Sequence, residues 1–192
     1  MSDNQNSGKE RKYYTAGEGK PPIFVQAIID NKRMSAVDFF HITDAYLDWD
    51  KAGNDAAVLE PLIIFLSKWG DELIFAFDDM MAELLYSLDT KKIARDIYKD
   101  ADFSGDDFLY TRCVALVNSK RFYNDVVKGR RKMKANLGFE AILYVPGLAW
   151  ARLHDRNSKD YPHVTEFCYE TMSNVEGWST QEGQGEINDG EH

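Results

Sequence analysis

The amino-acid sequence predicts an all-α fold: an irregular bundle of six to eight helices lying between two disordered tails. Three observations carry this. Apolar side chains recur every three to four residues, most clearly at Leu73, Phe77, Met80, Met81, Leu84, Leu85 and Leu88, the period of one helix face. No convincing run alternates apolar and polar residues with period two, and no Asn-Gly hairpin turn occurs. Hydrophobic residues make up 44% of the 192, enough to build a core.

The elements follow in order. Residues 1–20 are polar and carry both charge signs, which predicts a disordered tail. The run Ile23 to Ile29 after two prolines reads as a short helix. Ser35 and Asp38 have the spacing of a capping box, and Phe39, Ile42, Ala45, Tyr46 and Trp49 continue at helical spacing. A helix from Ala56 to Trp69 accommodates Pro61 near its start, and Gly70 breaks or bends it. The segment after Gly70 gives the strongest helix, followed by another over about Lys91 to Lys99.

Asp106-Asp107 open a helix with Phe108, Leu109, Cys113 and Leu116, which residues 121–127 continue or follow with a further turn. Phe139 to His154 reads as one helix kinked at Pro146, whose ring clashes with the preceding turn. Tyr161 to Ser173 reads as a weaker helix, with Val164, Phe167, Cys168 and Met172 on its apolar face. Residues 176–192 carry no Lys or Arg and read as an acidic disordered tail. A single helical domain over residues 22–175 is therefore expected.

The formal net charge of −9 argues against general affinity for nucleic-acid backbone or anionic membrane, and leaves room for a basic protein partner. Two cysteines, Cys113 and Cys168, are too few for a disulfide framework, and both read as buried thiols. The N-terminal residues hold no apolar signal region, and no apolar stretch reaches membrane-spanning length, so a cytoplasmic location is expected.

The stretch Ser104-Gly105-Asp106-Asp107-Phe108-Leu109-Tyr110-Thr111-Arg112, with Leu116 and then Arg121-Phe122-Tyr123, resembles domain of unknown function family 4240, a bacterial family. Upstream, Ala36 to Phe40 is similar to that family's opening helix. The pattern Leu66-Ser67, Asp71 to Ile74 and Phe77 resembles its acidic second block, which ends at Leu84-Leu85-Tyr86. The resemblance covers about residues 35–145. Departures stand at Thr111, where the family favours Phe, at Lys120, where it favours Gly, and at Gly129-Arg130 in place of a Pro-Asp turn. It implies helical architecture and a bacterial origin, and it implies no activity.

Several residue groups invite chemistry. The loop from Asp100 to Asp106 matches the first half of a calcium-binding loop, but Thr111 stands where the bidentate Glu belongs, and helix capping by Ser104 or Asp106 is the preferred reading. Arg112 suits a bidentate pairing with Asp106, Asp107 or a carboxylate on another helix. Glu72, Asp79 and Glu83, with Asp71 and Asp78 nearby, form an acidic helix face. A di-metal reading of that face fails because neither His41 nor His154 follows a Glu by three residues.

Residues 128–134 are the basic cluster; they lack interleaved aromatics and a phosphate-cradling Gly-rich loop and read as solvated. His154, His163 and Cys168 match no zinc spacing. No nucleophile elbow occurs.

The leading expectation is a non-enzymatic protein-binding module, such as an immunity protein neutralising a toxin or a regulatory protein. Glu72, Asp79, Glu83, Asp106, Asp107 and Arg112 are its partner-binding residues, and no cofactor, metal or catalytic residue is expected. One alternative is an enzyme with a cleft around Asp106, Asp107, Arg112 and Tyr110. Another is a nucleic-acid-associated regulator using the basic loop.

Overall fold

The computed structural model describes residues 19–99 and 101–179. Nine α-helices succeed one another among them: α1 (Ile23–Asn31), α2 (Ala36–Tyr46), α3 (Asp55–Ser67), α4 (Asp71–Leu88), α5 (Lys91–Tyr98), α6 (Gly105–Leu116), α7 (Lys120–Val127), α8 (Val145–His154) and the four-residue α9 (Val175–Trp178). Single turns of 3-10 helix stand at Trp49–Lys51, Glu140–Tyr144 and Ser158–Asp160. No strand occurs among the described residues, as the sequence predicts. The bulk of both expected tails, residues 1–18 and 180–192, lies outside the described residues. No helix of the described residues is long and apolar enough to cross a membrane.

Local chemistry sets the helix starts. Ser35 accepts the Asp38 N–H while the Asp38 carboxylate accepts the Ser35 N–H, and Ser104 and Asp107 repeat this reciprocal cap at α6. Asn54, Thr90 and Ser119 cap α3, α5 and α7 through their side-chain oxygens. Gly70, at φ 95°, separates α3 from α4, a backbone conformation that a side chain would strain.

Helix α4 is the hub. It packs against α1, α2, α3, α6 and α8, and α3 lies along α8 on one flank. Leu73, Ile74, Phe77, Met81, Leu85 and Leu88 are buried, and so are Met80 and Leu84 beside them, so the apolar surface is wider than a single stripe. That width is what a helix enclosed by neighbours requires. Each large apolar side chain buried this way contributes about 1.5–3 kcal/mol relative to exposure. Phe39 stacks on Phe77 at 4.7 Å between ring centroids, and Tyr46 on Phe65 at 4.0 Å, locking α2 to α4 and α3.

The helical bundle is the predicted one, with α7 separate from α6 and the short α9 added. The structure corrects four other expectations. Pro146 does not kink a long helix: the chain forms a 3-10 turn up to Tyr144 and Pro146 sits in the first turn of α8, where its missing N–H costs no hydrogen bond. Helix α2 ends at Tyr46, and Asp48 caps the 3-10 turn that holds Trp49.

Residues 161–174 are not helical. Along residues 161–170 the odd-numbered positions are half-buried and the even-numbered ones exposed, a period of two. Tyr161, His163, Thr165, Phe167 and Tyr169 face the body, while Val164, expected inside, is 87% exposed and Met172 is 60% exposed. Last, residues 176–179, read with the tail, belong to the folded part: Trp178 packs on Phe108 at 6.0 Å and donates from Nε1 to Asp89 at 2.8 Å.

Candidate functional site

The strap formed by residues 161–179 runs parallel to α4. Tyr161 meets Asp78, His163 meets Asp79, Phe167 meets Tyr86, and Met172 meets Asp89, so strap and helix advance together. Eleven residues of helix rise only about 16 Å, whereas eleven extended residues would span about 36 Å. The strap must therefore fold along its course, and it bends at Glu166, Phe167 and Glu170.

Its anchor is Asp89, the residue that ends α4, whose side chain is 0% exposed. The carboxylate accepts hydrogen bonds from the Met172 N–H at 3.1 Å, the Asn174 N–H at 3.0 Å, the Ser173 hydroxyl at 3.4 Å and the Trp178 indole at 2.8 Å. Arg112, also 0% exposed, lies 3.9 Å away. Its guanidinium donates to the Leu85 carbonyl at 2.9 Å, the Tyr169 carbonyl at 2.8 Å and the Thr171 hydroxyl at 3.1 Å.

Burial lowers the Arg112 pKa from its usual value, and the nearby Asp89 charge opposes that shift. One arginine thus caps the last turn of α4, neutralises Asp89 and grips the strap. Tyr123 and Asn174 complete the cap by donating to the Leu84 and Tyr86 carbonyls.

Nearer the start of α4, carboxylates hold the strap and the last residue of α8. Asp71 pairs with His154 at 2.7 Å and Asp79 with His163 at 2.8 Å, while the Tyr161 hydroxyl donates to Asp78 at 3.0 Å. The His163 ring stacks on Phe75 at 4.5 Å. Burial pushes the Asp78 carboxyl up to about 6, against the opposing effects of Tyr161 and His163. Burial likewise pushes the Tyr161 phenol up, reinforced by Asp78.

An open groove of about 700 Å³ lies between the strap and the segment from Leu143 to Gly147. Leu143, Pro146, Val164 and Phe167 supply apolar lining, and Glu166, Glu170 and Lys159 supply charge. A second hollow, across the strap, is lined by Asp79, Glu83 and Glu166 together with Lys32 and Arg33.

The residues nominated from sequence divide. Asp79, Glu83 and the strap residue Glu166 do come together, whereas Glu72 is exposed in the first turn of α4. Asp106 and Asp107 are exposed at the start of α6, and Arg112 turns away from them to Asp89. The Asp107 carboxylate caps its own helix, and Arg112 is part of the interior. Cys113 is buried, its thiol pushed by burial to about 12, but Cys168 is exposed and not the buried thiol expected. His154 and His163 turn to separate aspartates on α4. No cluster of three metal-ligating side chains occurs among the described residues.

Asp89, Tyr161, Thr171 and Trp178 went unrecognised in the sequence. The alternation Tyr161, His163, Thr165, Phe167, Tyr169 was the available signal for the strap. Nothing in the local sequence marks Asp89, whose hydrogen-bond donors lie 83 to 89 positions downstream.

No curated protein and no solved structure matches the chain. A family model does match, over residues 34–152, a span that takes in α2 to α7 and most of α8 and stops short of the strap. On that match the chain belongs to the family described as Protein of unknown function (DUF4240).

Proposed function

We propose that this protein is a non-enzymatic binding module that holds a segment of a basic partner protein along the strap. The observation that carries the reading is the groove beside the strap, with its apolar lining and acidic rim. Interfaces commonly combine an apolar centre with a polar, charged margin. Here Val164 stands exposed in the groove lining, while Glu166 and Glu170 lie on the strap and Asp79 and Glu83 line the hollow across it. The neighbouring carboxylates Asp78 and Asp79 hold the strap through Tyr161 and His163, and Asp71 holds the end of α8 through His154, positioning roles rather than proton transfer to a substrate. The net charge of −9 favours encounter with a basic surface. An immunity or regulatory protein acting in the cytoplasm, which neutralises its target by occupying it, is the biological form of this reading.

The test is co-purification from source cells with a tagged full chain, beside two exposed-surface variants, V164D and the pair E166K/E170K. The expected result is a stoichiometric partner, rich in Lys and Arg at its contact, that both variants lose while their circular dichroism stays unchanged. A partner retained equally by both variants would refute the groove as its binding site.

A further inference from the structure

Opposite charges line one hollow of this protein without pairing. The hollow, of about 530 Å³, lies where the end of α1, the middle of α4 and the strap meet. Lys32 and Arg33 enter it from the turn after α1, Glu83 from α4 and Glu166 from the strap. Asp79 lines it too, but is engaged with His163 at 2.8 Å. Lys32, Arg33, Glu83 and Glu166 form no ion pair with any described residue.

The backbones that carry these charges are fixed. Lys32 takes the left-handed conformation, φ 50°, that closes α1, and the N–H groups of Lys32 and Arg33 donate to the Ile29 and Ile28 carbonyls. Met34 beside them is buried, and Ser35 caps α2. Glu83 stands on the hub helix. Glu166 sits between Thr165, whose hydroxyl donates to the Phe167 carbonyl, and Phe167, which packs on Tyr86. The rest of the lining is apolar: Met34, Ala76 and Met80 are buried and Phe167 is half-buried. Methionine side chains adapt to the shape of a flexible apolar stem.

An occupant complementary to this lining carries a carboxylate and a cation joined by a short apolar stem. The last residue of a chain ending in lysine or arginine has all three. An internal basic residue has no carboxylate, and leaves Lys32 and Arg33 beside its own positive charge, which disfavours it. A hollow of this volume takes two or three residues rather than one. We propose that it receives the C-terminal end of a protein partner whose last residue is lysine or arginine, with the carboxylate on Arg33 and Lys32 and the cationic head on Glu83 and Glu166. The planar guanidinium of Arg33 suits bidentate capture of the terminal carboxylate. The proposal rests on the partner-binding reading for its protein source, and names the part of the partner that enters.

The test uses the full chain and three tripeptides, read by isothermal titration calorimetry at up to about 5 mM peptide, the weak end of specific affinity. Acetyl-Gly-Leu-Lys with a free carboxylate carries both charges. Its C-terminal amide lacks the anion, and acetyl-Gly-Leu-norleucine lacks the cation. The first should bind, and the other two about tenfold more weakly, the size of one charge-assisted hydrogen bond at a partly exposed site. K32Q/R33Q should remove the difference between acid and amide and keep that between lysine and norleucine; E83Q/E166Q should do the reverse. V164D, altered outside the hollow, should treat the three peptides as the unaltered chain does, so hollow and groove can fail separately. Circular dichroism should be the same for all these proteins. Equal binding of the three peptides, binding by none of them, or differences that survive both double variants would overturn the proposal. Free lysine should bind more weakly than the acetylated tripeptide; equal or tighter binding would make the occupant a small zwitterion and overturn the chain end.

Discussion

Replacing Asp89 with Asn should release the strap while leaving the helices folded. The carboxylate uses Oδ1 for the Met172 N–H and the Trp178 indole, and Oδ2 for the Asn174 N–H and the Ser173 hydroxyl. An asparagine keeps one accepting oxygen and sets an NH2 donor against the donors at the other. It also removes the counter-charge 3.9 Å from Arg112 in a site fully closed to solvent. A hydrogen bond to a charged group contributes about 1.5–3 kcal/mol, and breaking a buried ion pair by removing one partner costs about 3–5 kcal/mol. These losses overlap, and local detachment lets water reach Arg112, so the expected destabilisation is about 3–5 kcal/mol rather than the sum. Hydrogen exchange read by mass spectrometry should show peptides over residues 168–179 losing protection while the middle of α4 and of α6 keep theirs. Urea unfolding gives the free energy, and the double variant D89N/R112M should cost less than the two single variants added together. The reasoning fails if D89N preserves protection at residues 172–174 and stability stays within about 0.5 kcal/mol of the unaltered protein.

Asp78, with its pKa raised from 3.8 to about 6, binds its proton more tightly folded than unfolded, so its stabilising contribution is present at low pH and is lost as pH rises through about 6. At about 1.4 kcal/mol per pH unit the loss reaches at most about 3 kcal/mol. D78N should therefore stabilise the protein at pH 7.5 and make little difference near pH 4. Urea unfolding at both values checks this, and an equal effect at the two would contradict it. Under native conditions Cys168 should react with an aromatic disulfide reagent at once, whereas Cys113 should react only on unfolding; a count of two rapid thiols would contradict the burial of Cys113. G177A should weaken the docking of α9 by about 1–3 kcal/mol, because its methyl would fall 2.8 Å from the Asp89 carbonyl and the Thr90 side chain. Trp178 fluorescence and exchange at residues 175–179 would register the loss.

Sequence reading succeeded where structure is local. The capping serines at 35 and 104, the apolar series along α4 and the break at Gly70 each act within a few residues, so spacing alone revealed them. It failed where a residue's role comes from distant partners. The helical spacing of Val164, Phe167, Cys168 and Met172 misleads, because only Phe167 packs on the body while the other three face solvent. The alternating set inward of them mixes aromatics with His163 and Thr165, which hides its periodicity from a simple apolar count. Arg112 suits a carboxylate partner on sequence grounds, but spacing does not single out Asp89, 23 positions upstream, over the nearer Asp106 and Asp107. The acidic face of α4 was legible as charge. That three of its carboxylates serve the strap and the end of α8 was not, because charge composition does not say who the partner is.

The anchor at Asp89 also sets an order of assembly. During synthesis α4 and α6 leave the ribosome well before residues 172–178, so the two charges that end up sealed together first meet in water. The helices can condense around their apolar side chains at that stage, but the final turn of α4 cannot close over its ion pair until Trp178 has emerged. A nascent chain halted near residue 160 should accordingly display an unfinished, adhesive flank, the kind of surface that chaperones hold.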